Sequence, residues 1–184
     1  MEFTIAQTRN DTAGRLGQLT SAHGSFHTPA FMPVGTLGTV KGVHQHELAE
    51  VVDAPVVLGN TYHLYLRPGL EVLEAAGGLH QFMQWPRTML TDSGGYQVFS
   101  LGHNRVISEQ GVRFQSHIDG SYHQFTPEGA VRMQRSIGGD IMMALDECPP
   151  YPSSYQYAER SMELTHRWLD RCLEAFHGSS PLYG

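Results

Sequence analysis

The feature that most narrows the folds open to this chain is a rhythm of short apolar runs, each closed by a glycine or an acid. "PVVLGN" (Pro55 to Asn60) is bounded by turn signals and reads as a buried strand; "TMLTD" (Thr88 to Asp92) reads as the next strand and "DIMMALD" (Asp140 to Asp146) as another apolar strand ending in an acid. "AFMPV" (Ala30 to Val34) reads as another, leading into the Gly35/Gly38 loop. Stretches of helical pattern intervene. His44 to Asp53 carries apolar Leu48, Val51 and Val52, and Leu70 to Ala76 is stopped by Gly77-Gly78, the usual punctuation of a helix C-terminus. From Ser153 onward, Ala158, Met162, Thr165, Leu169, Cys172 and Phe176 recur at three and four, which predicts a long amphipathic helix. "SPLYG" at the end reads as the start of a further strand.

Strand–helix alternation points to an α/β fold of parallel βα units, either a doubly wound sheet or a (β/α)8 TIM barrel. One segment breaks the rhythm. "VRFQSHIDGSYHQF" (Val112 to Phe125) alternates around Asp119-Gly120 and predicts an inserted β-hairpin. Thr126-Pro127 then reads as the N-cap and first residue of a helix running to about Ile137. A complete barrel takes about 250 residues. This chain has 184 and offers four or five of the eight strands, so the expected fold is the N-terminal part of a barrel, residues 1–184 forming one incomplete domain.

Composition excludes several classes. Hydrophobic residues make up 40% and charged residues 16%, a globular balance. The formal charge of −6 is no general attractor for nucleic acid, so any phosphate-binding surface is local or lies elsewhere. The two cysteines, Cys148 and Cys172, are far apart and in no ligand spacing, which fits a reducing cytoplasm and excludes a cysteine-rich zinc knuckle within these residues. The start, "MEFTIAQTRND", lacks the basic and apolar regions of a signal peptide, and no apolar run reaches membrane-spanning length.

Asp92 and Asp146 both stand where an apolar run ends, the position that faces the active site in a βα barrel. The plain alternative for each is a helix N-cap or a turn. Their neighbours bear on the choice. Gly94-Gly95 let the backbone approach a ligand or present amides to an anion. Tyr96 offers a plane for a base, or else a core tyrosine. Asn60 and Gln97 carry both a donor and an acceptor, the equipment for reading a base edge. Asp146 can accept from the N–H edge of a guanine-like base, with Glu147 as a solvated neighbour, and paired carboxylates suit chemistry at a sugar that passes through an oxocarbenium ion. Among eleven histidines no HExxH and no His/Cys cluster at ligand spacing occurs. His63 reads as structural, Cys172 as core, and Cys148 as a poor nucleophile because two acids precede it.

Taken together and in order, "TPAFMPVGTLGTVKG", "LGNTYHLYLRPG", "GGLHQFMQW", "LTDSGGYQVFSL", "GVRFQSHIDGS" and "DIMMALDECPPYP" resemble the bacterial tRNA-guanine transglycosylases over essentially the whole chain. The resemblance implies a (β/α)8 barrel that exchanges the wobble guanine of certain tRNA anticodons for the deazaguanine base prequeuine, through a covalent enzyme–tRNA intermediate. It assigns Asp92 to general acid/base work and Asp146 to the base edge, with Tyr96 stacked on the base. Ser93, Gly94, Asn60 and Gln97 belong to the same pocket by proximity, and Cys148 lines it in the bacterial pattern. The "DEC" triplet favours prequeuine over queuine. The family's nucleophilic aspartate, its Cys/His zinc-binding insertion and the rest of the base pocket match no residue here. On this reading zinc belongs to the complete enzyme and no metal is bound by these residues; tRNA is the partner, and a homodimer the expected full-length state. The alternative is a truncated, non-catalytic product or a binding partner of an intact subunit. A glycoside hydrolase using the same carboxylates is a weaker third reading.

Overall fold

A computed structural model describes residues 1–101 and 103–177; the "SPLYG" segment lies outside them. In chain order the elements are β1 (Glu2–Thr8), β2 (Arg15–Ser21), β3 (Gly24–Thr28), α1 (Gln45–Glu50), β4 (Val56–Gly59), α2 (Thr61–Leu64), α3 (Leu70–Ala75), α4 (Leu79–Met83) and β5 (Thr88–Thr91). They continue with α5 (Gly95–Leu101), β6 (His103–Ser108), β7 (Gly111–Gln115), β8 (Tyr122–Phe125), α6 (Pro127–Ile137), β9 (Ile141–Met142) and α7 (Tyr155–His177). A wide helical turn at Tyr65–Gly69 joins α2 to α3.

The centre is a parallel sheet in the order β4-β5-β9. Both β4 and β5 are buried along nearly their whole length; β4 therefore runs apolar instead of alternating, while β5 carries a threonine at each end, and buried Thr91 donates to Gln134 Oε1 at 2.9 Å. Outside β4, Val34 forms a single parallel bridge to Leu58, flanked by bonds from Leu58 N to Pro33 O at 2.9 Å and from Gly35 N to Leu58 O at 2.7 Å. The strand expected over Ala30 to Val34 is therefore reduced to this bridge, since Pro33 has no N–H to give a ladder. The run Asp140 to Asp146 likewise contributes only two ladder residues, Ile141 and Met142. Beyond them the chain leaves the sheet as an extended segment.

Two antiparallel meanders flank this centre. In the first, β7 pairs with β8 from Val112↔Phe125 to Gln115↔Tyr122 around the Asp119-Gly120 turn, and β6 adds on the other side of β7. In the second, β1-β2-β3, the sequence reading assigned no element; the alternation of Phe3 and Ile5 was the available signal. This N-terminal meander buries almost nothing: within its strands only Gly17 is fully buried, and Phe3, Ile5 and Leu16 stand open.

The helices form where their caps and apolar faces allow. Thr126 accepts a bond from Gly129 N at 3.0 Å, Pro127 opens α6, and Gly138 closes it in the left-handed region. The buried face of α6 packs with Tyr62, Phe114, Phe125, Trp168 and Cys172 in one core cluster; Leu48, Val57, Leu79, Trp85, Met89 and Ile137 form a second beside it. Helix α7 is present where expected, but its buried stripe is Ser161, Trp168 and Cys172, while Met162 and Leu169 are 52% and 40% exposed. Trp168 sets this phase. Its indole donates to Glu109 O at 2.9 Å, and Arg171 one turn on grips the Glu128 carboxylate at 2.7 Å, so the largest apolar ring takes the core. Among the described residues no helix is long and apolar enough to cross a membrane.

Two substitutions gauge these devices. Thr126→Ala lowers stability by about 1 kcal/mol through loss of the cap, and Trp168→Ala by about 3–5 kcal/mol through an unfilled core. Urea unfolding followed by circular dichroism is expected to resolve the two effects.

Candidate functional site

The carboxyl ends of the parallel strands meet at one edge of the sheet. Asn60 directly follows β4, Asp92 directly follows β5, and Asp146 lies on the extended segment beyond β9. The Asp92 carboxylate accepts four hydrogen bonds. Oδ2 takes Asn60 Nδ2 at 2.5 Å and Gln97 Nε2 at 3.1 Å; Oδ1 takes the backbone amides of Thr61 at 2.9 Å and Gly94 at 3.1 Å. Thr61 also donates its hydroxyl to the Asp92 carbonyl, at 2.5 Å. Asp92 is thus fastened both to the start of α2 and to the loop that opens α5, and it remains partly exposed.

Asp146 is joined to the same loop. Ser93 donates to Asp146 Oδ1 at 3.0 Å and accepts from Gly95 N at 3.2 Å. The two glycines are dictated by close approach. Gly94 has φ +81°, and a Cβ there would stand 2.9 Å from the Phe125 ring; a Cβ on Gly95 would stand 2.6 Å from Asp146 O. Their amides are directed to Asp92 and Ser93, so the approach these residues permit is to the protein's own carboxylate segments.

Asn60, Ser93, Gly94, Gln97, Asp92 and Asp146 are therefore brought together by direct contacts. Tyr96 stands beside them on the first turn of α5, 61% exposed. Cys148 is half-buried; burial, followed by Asp146 and Glu147, pushes its thiol up against the opposing pull of Arg105, as two preceding acids suggested. Between Gly95, Asp146 and Cys148 the enclosed space is only about 20 Å³, and the larger clefts, about 610 and 870 Å³, lie away from Asp92. One expectation changes. Glu147 is no mere solvated neighbour: its carboxylate accepts from Tyr157 OH at 2.5 Å and its amide donates to Thr165 Oγ1 at 3.0 Å, anchoring the acidic segment to α7. His63 is drawn close enough to Asp92 to feel its charge. Burial and neighbouring His117 hold its imidazole below the ordinary range, with Asp92 opposing them. Thr61, which grips Asp92 twice, went unassigned in the sequence although it adjoins Asn60 in "LGNTYHL".

The residues here do not build a thiolate-rich zinc cluster. Cys172 is core, its thiol directed at Pro127 O at 3.5 Å, and Cys148 sits with the acids. Among the described residues, the one group of three side chains whose ligand-capable atoms lie within 4.8 Å of one another is His23, His80 and Asp140, at the opposite end of the strands. Sequence spacing could not reveal it, since its members are 57 and 60 positions apart (80−23 and 140−80).

Residues 10–183 match the sequence model of the family described as Queuine tRNA-ribosyltransferase. The chain is 56% identical over 173 residues to the queuine tRNA-ribosyltransferase of Ruminiclostridium cellulolyticum, an alignment covering 94% of this chain and 46% of that protein. With that of Caldanaerobacter subterraneus subsp. tengcongensis it shares 59% over 171 residues, 93% of this chain and 45% of the relative. With that of Bacillus subtilis it shares 56% over 164 residues, 89% and 43%. The chain spans about half the length of the curated relatives it matches. A family match over nearly the whole sequence, meeting a carboxylate site assembled from the very motifs that suggested it, leads to one conclusion: the chain belongs to the queuine tRNA-ribosyltransferase family.

Proposed function

We propose that this chain provides the N-terminal part of a tRNA-guanine transglycosylase, which exchanges the wobble guanine of tRNA for prequeuine (7-aminomethyl-7-deazaguanine) in queuosine biosynthesis. The observation that carries the reading is the joining of Asp92 and Asp146 through Ser93, at the carboxyl ends of neighbouring strands. Asp92 handles protons at the departing and incoming bases. Its four donors fix the carboxylate before a base arrives, and Asn60 and Gln97, the two side-chain donors, are the ones able to yield it. Asp146 reads the base edge. Ser93 occupies Oδ1, while Oδ2 has no protein donor among the described residues and is available to paired N–H groups. Tyr96, exposed beside both acids, supplies the stacking face, so the base lies over this edge and not inside the small space behind Cys148.

The attacking carboxylate, which forms the covalent bond to the ribose, and the zinc-binding insertion are assigned to the part of the relatives' length that this chain does not span. A barrel is supported by the order of the parallel strands. From Val34 through β4 and β5 to β9, each joins the last on the same side, whereas a doubly wound sheet reverses direction. The edge of β9 and the cleft lined by Met142, Met143, Leu169 and Leu173 suit a covering βα unit. The complete enzyme is proposed to act as a cytoplasmic homodimer.

The test is exchange of labelled guanine into tRNA by this sequence extended to the relatives' full length; no exchange would refute the assignment. Exchange by the 184 residues alone would refute the placement of the nucleophile elsewhere. In the full-length setting, Asp92→Asn is expected to slow exchange by about 10²–10⁴-fold with little change in melting temperature, because Asn60 and Gln97 can turn their carbonyls toward the new amide. Asp146→Ala removes a charged acceptor and weakens base binding by about 1.5–3 kcal/mol, read as a rise in the base KM. Gly95→Ala forces its methyl into Asp146 O and raises the same KM without touching a titratable group.

A further inference from the structure

Gln134 is a fully buried amide on α6, and all four of its bonding positions are in use. Oε1 accepts from Thr91 Oγ1 at 2.9 Å and from Met143 N at 2.9 Å. Nε2 donates to Met143 O at 2.8 Å and to Ala130 O at 3.2 Å. Glutamine is seldom fully buried, because a leucine or methionine fills similar space with no polar atoms to satisfy. Here the amide answers a need of the backbone.

That need arises where the sheet ends. β9 follows β5 through Leu90↔Ile141 and Thr91↔Met142, and Met143 N still reaches Thr91 O at 3.2 Å. In an extended chain the N–H and C=O of one residue point to the same side, so the Met143 carbonyl also faces the path of β5. A continued ladder would supply its donor from Ser93, but β5 ends at Thr91 and Ser93 has turned to Asp146. Gln134 Nε2 takes the vacated place, and the side chain stands in for one residue of strand. Gly139, between α6 and β9, leaves the room: a Cβ there would stand 2.6 Å from Thr91 Oγ1, at the expense of the hydroxyl that locates Oε1.

Both segments that Gln134 holds run directly into the acids. Thr91 precedes Asp92, and Met143 leads through Ala144 and fully buried Leu145 to Asp146. The two segments meet again where Ser93 donates to Asp146 at 3.0 Å. We infer that Gln134 is a positioning residue for base recognition: by clamping Met143 to Thr91 where the strands part, it brings the Asp146 segment within reach of Ser93. This role rests on the proposed reading of the base edge by Asp146. Gln134 bonds to neither acid, so its effect travels through two short segments tethered at both ends. A strand added to the free edge of β9 would bond on the side away from β5, so the clamp persists in a longer chain.

The test uses the sequence extended to the relatives' full length, with steady-state exchange of guanine into tRNA and amide hydrogen exchange measured on the same protein. Gln134→Met keeps the length of the side chain and removes the clamp. It is expected to raise the base KM about tenfold and to strip protection from the amides of residues 143–146. The kcat and its pH profile should stay near wild type, because Asp92 keeps its own four donors. Ile137→Val, in the core beneath the same helix, should lower the melting temperature with neither effect. Thr91→Val removes only the hydroxyl that locates Oε1 and should raise the same KM about threefold, which carries the test should Gln134→Met fail to fold. A wild-type KM in both clamp variants, a fall in kcat with KM unchanged, or an equal KM rise in Ile137→Val would overturn the positioning role and leave the transglycosylase reading standing. No exchange by the unsubstituted protein would overturn that reading, and the role in base recognition with it.

Discussion

A single carboxylate organises the chemical edge of this molecule. Asp92 takes donors from β4's end, from the start of α2, from the glycine loop and from α5, and so closes those segments around one point. Unmade, these bonds would leave two backbone amides and two side-chain amides partly buried without partners, at roughly 1–3 kcal/mol apiece. The glycine loop in turn fixes Ser93, and Ser93 fixes Asp146. The geometry between the two acids is thus inherited from one set of hydrogen bonds.

The parts legible in the sequence were those where local chemistry and tertiary environment agree. β4 reads as a buried strand because its apolar residues run together between turn signals, β5 reads as the next strand, and the start of α6 is marked by Thr126 and Pro127. Asn60, Asp92, Ser93 and Gln97 were legible as a group since strand ends share one edge of a parallel sheet, so separate motifs converge there.

Other parts depended on partners remote in sequence. The phase of α7 turns on Trp168 meeting Glu109, a contact invisible to periodicity, which weighted Met162 and Leu169 equally with the rings that win the core. Glu147 looked solvated because Tyr157 and Thr165 come to it from the next helix. The meander β1-β2-β3 has too little apolar patterning to announce itself, in keeping with how little it buries. The histidine cluster draws on three elements, and each member alone resembles an ordinary surface or structural residue.

The anchoring of Glu147 ties the position of Asp146 to a helix that follows it in the chain. Tyr157 and Thr165 lie about two turns apart on one face of α7, and both hold the residue next to Asp146. The helix therefore works as a rigid lever whose short arm ends beside Asp146. Substitutions on its outer surface can tilt that arm by fractions of an ångström and shift Asp146 while every residue around that acid stays the same.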